Sequence, residues 1–205
     1  MDTYLDYNAT TPLRPEVIEA MANAAGTVGN ASSVHRFGRL ARRAVEDVWT
    51  VAVDRNGVVD MAALGPAIEA VPAPVLVSVM LANNETGVIQ PVAQIAAIAH
   101  EHGALVHCDA VQAAGRLPVD IAALGVDMLT LSAHKLGGPQ GVGALVLARD
   151  VRLDTILRGG GQERGRRAGT ENVAGIVGFG AAARLAARAR DDMGRLATLR
   201  DGIEA

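Results

Sequence analysis

Between residues 75 and 148 the sequence alternates short runs rich in valine, leucine and methionine with amphipathic stretches of helical spacing. The runs at 75–81, 104–108, 127–132 and 143–148 have the length and composition of strands, and the apolar positions over 92–102 recur as on one face of a helix. That order predicts strands joined by crossover helices, hence an α/β fold with a parallel sheet covered on both faces. Upstream, a short strand from Trp49 runs into Asn56-Gly57, a turn dipeptide, and a helix is expected over 61–70. Two amphipathic helices are expected nearer the start. One runs from Pro15 to before Gly26, with Val17, Ile18 and Met21 as its stripe; the other spans 37–48, with Leu40, Ala41 and Val45 on one side and arginines on the other. A helical patch is expected at 111–114 and one long helix over 172–200, in which Ile176, Val177, Phe179, Leu185, Met193 and Leu196 should be buried. Such a stripe implies something further to pack against. The sequence shows no internal repeat and no low-complexity linker.

Composition narrows the function. A net charge of −3 over 205 residues argues against nucleic acid or an anionic membrane held by a basic face. The first residues include Asp2 and Asp6 and lack the basic-then-apolar order of a leader, and the apolar stretch at 71–82 is broken by prolines and Ser78 and is too short to cross a bilayer. The single cysteine, Cys108, rules out an internal disulfide or a cysteine metal cluster, so a soluble cytoplasmic protein is expected. Of 19 basic residues 18 are arginine, and the one lysine is Lys135. In so arginine-rich a chain a lysine is retained either by chance or because its amine, unlike a guanidinium, can lose a proton and act as a nucleophile.

Three expected strand ends carry polar side chains: Asn83, Asn84 and Glu85 after the first, Asp109 and Gln112 after the second, and Ser132, His134 and Lys135 after the third. In open α/β sheets ligands sit beyond the carboxyl ends of the strands. An amine that attacks a carbonyl, beside a carboxylate that keeps a heteroaromatic nitrogen protonated, suits pyridoxal phosphate. Asp109 would pair with the ring nitrogen, Ser132 and His134 would donate to the phosphate, Gln112 and Asn84 would hold the ring oxygen, and Lys135 would bond the aldehyde carbon. Each element has a plainer alternative. Asn84 to Gly87 reads equally as a turn, Asp109 as the cap of a following helix, and His134 as a loop histidine. The glycine- and arginine-rich segment 159–170 reads either as an anion site or as a solvated loop.

The motifs YLDYNATTP, GNASSVHRFGR, LANNETGVIQP, HCDAVQAAG, LSAHKLGGPQGVGAL and GGGQERGRRAGTEN follow one another in this order. The chain thereby resembles, over nearly its whole length, the cysteine desulfurases of the class V aminotransferase branch of fold type I pyridoxal-phosphate enzymes. The resemblance implies a three-layer α/β/α large domain with a mostly parallel sheet, present here in incomplete form. It implies Lys135 as the Schiff-base lysine, Asp109 as the ring-nitrogen partner, Asn84 and Gln112 as ring-oxygen ligands, Ser132 and His134 as phosphate ligands, and Thr170 as a residue reaching the neighbouring subunit's cofactor. It further implies a homodimer that converts L-cysteine to L-alanine and passes sulfur to an acceptor protein or scaffold, for iron-sulfur cluster assembly or tRNA thiolation.

Two departures from the family pattern stand out. Between Val48 and Trp49 the family has several dozen further residues, including a phosphate-binding glycine turn and a ring-stacking histidine, and beyond Ala205 it continues into a small domain bearing the persulfide cysteine and a carboxylate-binding arginine. The expected organisation is therefore an N-terminal arm and helices over 1–48 and a partial cofactor-binding domain over 49–205, without the small domain. Cys108 does not replace the missing cysteine: on a strand directly before Asp109 it points to the opposite face, into packing. The alternatives to a desulfurase are a catalytically dead remnant of one, or another class V enzyme such as a selenocysteine lyase or an aminotransferase.

Overall fold

The computed structural model describes residues 48–148, 151–189 and 193–204. The chain divides into two compact units, residues 1–50 and 51–205, and every element named below belongs to the second. The two helices expected near the start lie outside the described residues.

The second unit opens on a turn held by Asp54, whose carboxylate accepts from the backbone of Asn56 at 2.8 Å and Val58 at 2.9 Å. Helix α1 (Met61–Glu69) follows, capped by Asp60, whose side chain accepts from the N–H groups of Ala62 and Ala63. Strand β1 (Leu76–Met80), helix α2 (Val92–Glu101) and strand β2 (Leu105–Asp109) form a parallel crossover unit. In α2 the buried positions are Val92, Ile95, Ala96 and Ala99, one face of a helix. The helix stops where Gly103 takes a left-handed φ of 72°, a conformation that costs a side-chain-bearing residue and lets the chain turn at once into β2.

A short helix α3 (Ile121–Leu124) leads to β3 (Met128–Ser132), parallel to β2. A 3₁₀ turn (Ala133–Leu136) then leads to β4 (Gly143–Leu147), which runs antiparallel to β3. Sheet order is β1-β2-β3-β4. This is the mostly parallel α/β architecture the sequence implies. The 111–114 patch expected to be helical forms turns instead. One sheet face, with Val106, Cys108 and Leu129, packs against Leu64 and Ile68 of α1 and Ile95, Ala96 and Ala99 of α2. On the other face Leu76, Leu105 and Leu145 remain exposed.

The long helix expected over 172–200 is two helices, α4 (Val173–Ala189) and α5 (Met193–Glu204). Its large apolar side chains are not the buried ones. Ile176, Val177, Leu185 and Leu196 are 45%, 64%, 64% and 48% exposed, Phe179 is half-buried, and the Met193 side chain lies outside the described set. The packed face is made of small residues one helical turn apart. A Cβ on Gly175 would meet Val142 at 2.5 Å, one on Gly178 would meet Pro139 at 3.2 Å, Gly138 approaches the Ala182 methyl, and Gly115 approaches that of Ala186. Small residues let the helix backbone sit close to the turn after β3, and this leaves the bulkier positions facing away.

Candidate functional site

Parallel register brings the strand ends together. Met80 lies opposite Asp109, and Asp109 opposite Thr130, so β1, β2 and β3 finish side by side and their loops leave the sheet at one edge. Register partners share a face, which places Asp109 with Met80 and Thr130 and puts Cys108 on the packed side. That thiol is fully buried; burial first, and then the charge of Asp109, push its pKa up to about 11.

Asp109 is half-buried, and its Oδ1 accepts from the Val111 N–H at 2.9 Å. This is a local turn contact rather than a helix cap. No described residue donates to the second oxygen, Oδ2. After β1 the turn is organised by Asn83, whose side-chain oxygen accepts from Glu85 N, Thr86 N and Thr86 Oγ1 at 2.9, 2.9 and 3.1 Å. Asn84, the predicted ligand, is exposed and takes no part in these turn bonds. After β2, Gln112 is half-buried, and its backbone carbonyl accepts from Arg116.

Beyond β3, Ser132 Oγ and His134 Nδ1 share a hydrogen bond of 2.9 Å, so the two predicted phosphate ligands are already one unit. Lys135 follows in the same 3₁₀ turn, exposed, with no carboxylate within ion-pair distance among the described residues. Next to the turn, Gly138 lies close to Ala182 of α4, and Gly115, after β2, lies close to both Ala186 of α4 and Leu136 of the turn. Thus Asn84, Asp109, Gln112, Ser132, His134 and Lys135 issue from three adjacent strand ends. Thr170 stands apart from them, exposed in the segment before α4, with no hydrogen bond to the set among the described residues.

The glycine- and arginine-rich segment is largely exposed and is tied to the residues just before it, Thr155 Oγ1 donating to the Gly165 carbonyl at 2.8 Å and Ala168 N to the Leu157 carbonyl at 3.0 Å. Glu163 and Arg164 sit there at φ of 48° and 58°, a strained region for residues with side chains. A depression of about 430 Å³ beside it is lined by Val151, Arg152, Leu153, Asp154 and Arg166 and includes none of the predicted site residues.

Sequence reasoning missed two polar features. His107, in the middle of β2, bonds Ser78 on one side and Thr130 on the other; burial holds its pKa below 6.5, against the opposing pull of Asp109. Immediately before β3, buried Asp127 pairs with His100 Nε2 at 2.8 Å. Each is a polar residue in or beside an otherwise apolar strand, which marks the position in the sequence but leaves its partners unread until register is known.

A parallel α/β sheet whose neighbouring carboxyl ends present a carboxylate, amides, a hydroxyl–imidazole pair and an amine is of the class that binds small ligands beyond its strand ends. The chain belongs to the class-V aminotransferase family, whose family model matches residues 39–193. It is 45% identical over 196 residues to a cysteine desulfurase of Klebsiella pneumoniae, covering 96% of this chain and 47% of that protein. It is 35% identical to an IscS-like cysteine desulfurase of Mycobacterium tuberculosis, covering 98% of this chain and 69% of the relative. Among solved structures, a NifS-like protein from Rickettsia africae superposes with a TM-score of 0.71 at 29% identity, covering 98% of this chain and 73% of that one. The chain spans about half the length of the Klebsiella relative it matches. The Mycobacterium alignment runs over 272 residues, more than this chain possesses, so it crosses a stretch that the relative has and this chain lacks. Among the described residues no helix is long and apolar enough to cross a membrane.

Proposed function

We propose that this chain carries the cofactor-holding strand ends of a pyridoxal-phosphate-dependent cysteine desulfurase. The observation that carries the reading is the convergence of Asp109, the bonded Ser132–His134 pair and Lys135 on adjacent ends of β2 and β3. The donor set fits the group. Asp109 keeps one oxygen for a protonated ring nitrogen, Ser132 and His134 would donate to the phosphate, and Asn84 and Gln112 would hold the ring oxygen. When bound, pyridoxal phosphate supplies an electron sink for the substrate's α carbon. Lys135 would hold the cofactor's aldehyde carbon through its amine and then carry the proton to and from the substrate carbon. Thr170 would serve the cofactor of a second subunit, in a homodimer. The names of the relatives support L-cysteine as substrate, and we place the sulfur it releases on an acceptor protein or iron-sulfur scaffold in the cytoplasm, as the resemblance implies.

The test is to add pyridoxal phosphate, reduce with borohydride and map the labelled peptide. The expected label is on Lys135, and a label elsewhere refutes the assignment. A second reading, a remnant that is catalytically dead, is favoured by the stretch absent from this chain in the Mycobacterium alignment and by the exposed Leu76, Leu105 and Leu145 on one sheet face. Release of alanine and sulfide from L-cysteine by the purified 205-residue chain at a useful rate would exclude it.

A further inference from the structure

One polar chain crosses the sheet beneath the strand ends. On the face that carries Asp109, Ser78 Oγ of β1 meets His107 Nδ1 at 2.9 Å, and His107 Nε2 meets Thr130 Oγ1 of β3 at 3.1 Å. The register makes this bridge oblique. Ser78 lies opposite His107 itself, whereas Thr130 lies opposite Asp109, so the imidazole leans toward the level of the carboxylate.

His107 and Asp109 are two residues apart on one strand, with α carbons about 6.8 Å apart and side chains on the same face. An unrestrained imidazole there would turn along the strand and pair with the carboxylate, as a neighbouring opposite charge favours. Instead both ring nitrogens are engaged across the strands, and no hydrogen bond joins His107 to Asp109. Hydroxyls suit this task because each donates or accepts as the tautomer requires. β1, β2 and β3 carry no charged side chain besides Asp109 and the titratable His107, so the carboxylate is the one charge on these strands that competes for the ring. Burial keeps the imidazole neutral near pH 7, which weakens that competition further.

We propose that Ser78 and Thr130 clamp His107 across the sheet, making it a positioning residue that keeps Asp109 out of an internal ion pair and open to the cofactor's protonated ring nitrogen. This inference rests on the reading of the site given above. It assigns to the middle of the sheet a role in preparing its edge.

The test uses the full 205-residue chain, the double variant Ser78→Ala/Thr130→Val, and Thr130→Ser as the variant that retains a hydroxyl. The first readout needs no cofactor: NMR titration of the ¹⁵N-labelled histidine ring. Released from the clamp, His107 should pair with Asp109 and titrate at higher pH than in the parent, and adding Asp109→Asn should abolish the rise. The second is absorbance titration with pyridoxal phosphate. The Kd should rise about tenfold in the double variant, the weight of roughly one charge-assisted hydrogen bond. The bound chromophore's pH dependence should move with it, and Thr130→Ser should behave as the parent in both readouts. If the double variant does not fold, Thr130→Val alone, a change of nearly equal shape, carries the same comparison.

An unchanged histidine titration overturns the clamp. A raised titration with parental Kd and spectrum overturns the positioning role. If the parent takes up no pyridoxal phosphate while its histidine behaves as expected, the reading of the site has failed and the role falls with it; the first readout then shows that the failure lies in the site and not in the clamp.

Discussion

Asp127→Ala should remove a buried hydrogen-bonding centre from the fold. Asp127 is 1% exposed, and its Oδ2 both accepts from the Val106 N–H at 2.8 Å and pairs with His100 Nε2 at 2.8 Å. Val106 is itself fully buried, so its N–H cannot turn to water when the carboxylate goes. An orphaned buried N–H costs about 1–3 kcal/mol, and the lost bond to the partly exposed His100 adds about 1 kcal/mol. The expected destabilisation is therefore about 2–4 kcal/mol, or a fall in Tm of roughly 5–15 °C for a chain of this length. Asp127→Asn keeps an acceptor for Val106 and should cost only about 1 kcal/mol, and His100→Ala about the same, since it leaves the backbone contact intact. Urea unfolding followed by far-ultraviolet circular dichroism measures all three, with the slope m checked for constancy. Asp127→Ala within about 0.5 kcal/mol of the parent at equal m would refute the reasoning. So would a His100→Ala variant as damaged as Asp127→Ala, because the histidine contact and not the backbone contact would then carry the energy.

Three further outcomes follow from the same geometry. Cys108, buried and with its pKa pushed up to about 11, should resist alkylation at pH 8 in the folded chain and react as fast as a free thiol in denaturant; comparable rates in both states would contradict its burial. The unfolded imidazole of His107 titrates near 6.5 and the folded one lower, so the unfolded chain takes up protons first as pH falls. The stability this group contributes is whole above about pH 6.5 and is lost as pH falls through the lowered folded value. Urea midpoints should accordingly drop further between pH 7.5 and 5.5 in the parent than in His107→Gln, and equal drops would count against it. Ala182→Leu should cost about 1–3 kcal/mol, because the Ala182 methyl already crowds Gly138, and should reduce borohydride labelling of Lys135 by lifting α4 from the turn beneath it. Stability and labelling both at parental level would show that the turn does not depend on the helix.

Much of the sheet is legible in the sequence because its strands are short apolar runs closed by polar or glycine-rich segments. β1, α2, β2, β3 and β4 fall within a residue or so of the positions their patterns predict. Direction is not written in those runs. β4 turns back against β3 because the chain between Ser132 and Gly143 is only a 3₁₀ turn and a loop with Gly137 and Gly141 at left-handed φ, too short for the crossover that a parallel return needs. α3, at four residues, is shorter than any window over which helical period can be read. In α4 the rule that large apolar residues mark the buried face gives the wrong side. Close approach selects Gly175, Gly178 and Ala182, and a hydrophobicity pattern assigns little weight to such residues.

The site divides along the same line. Asn84, Asp109, Ser132, His134 and Lys135 are conspicuous because polar side chains cluster where apolar strands end. Ser78, His107 and Thr130 are scattered polar residues on the open face of three short strands, and nothing but register shows that they stand in a row. Register also shows the row to be part of a gradient. The open face of the sheet begins with Leu76 beside Leu105, passes through Ser78 and His107, and ends at Asp109 beside Thr130, with Ser132 one step beyond. An apolar start suits a covering layer and a polar finish suits a ligand, so each strand changes task along its length. A carboxylate at the polar end is useful to a cationic ring only if nothing nearer neutralises it. The nearest candidate on its own strand is an imidazole two residues away, and the two hydroxyls that hold that imidazole sideways therefore bear on the chemistry of Asp109 as directly as its own turn contact to Val111.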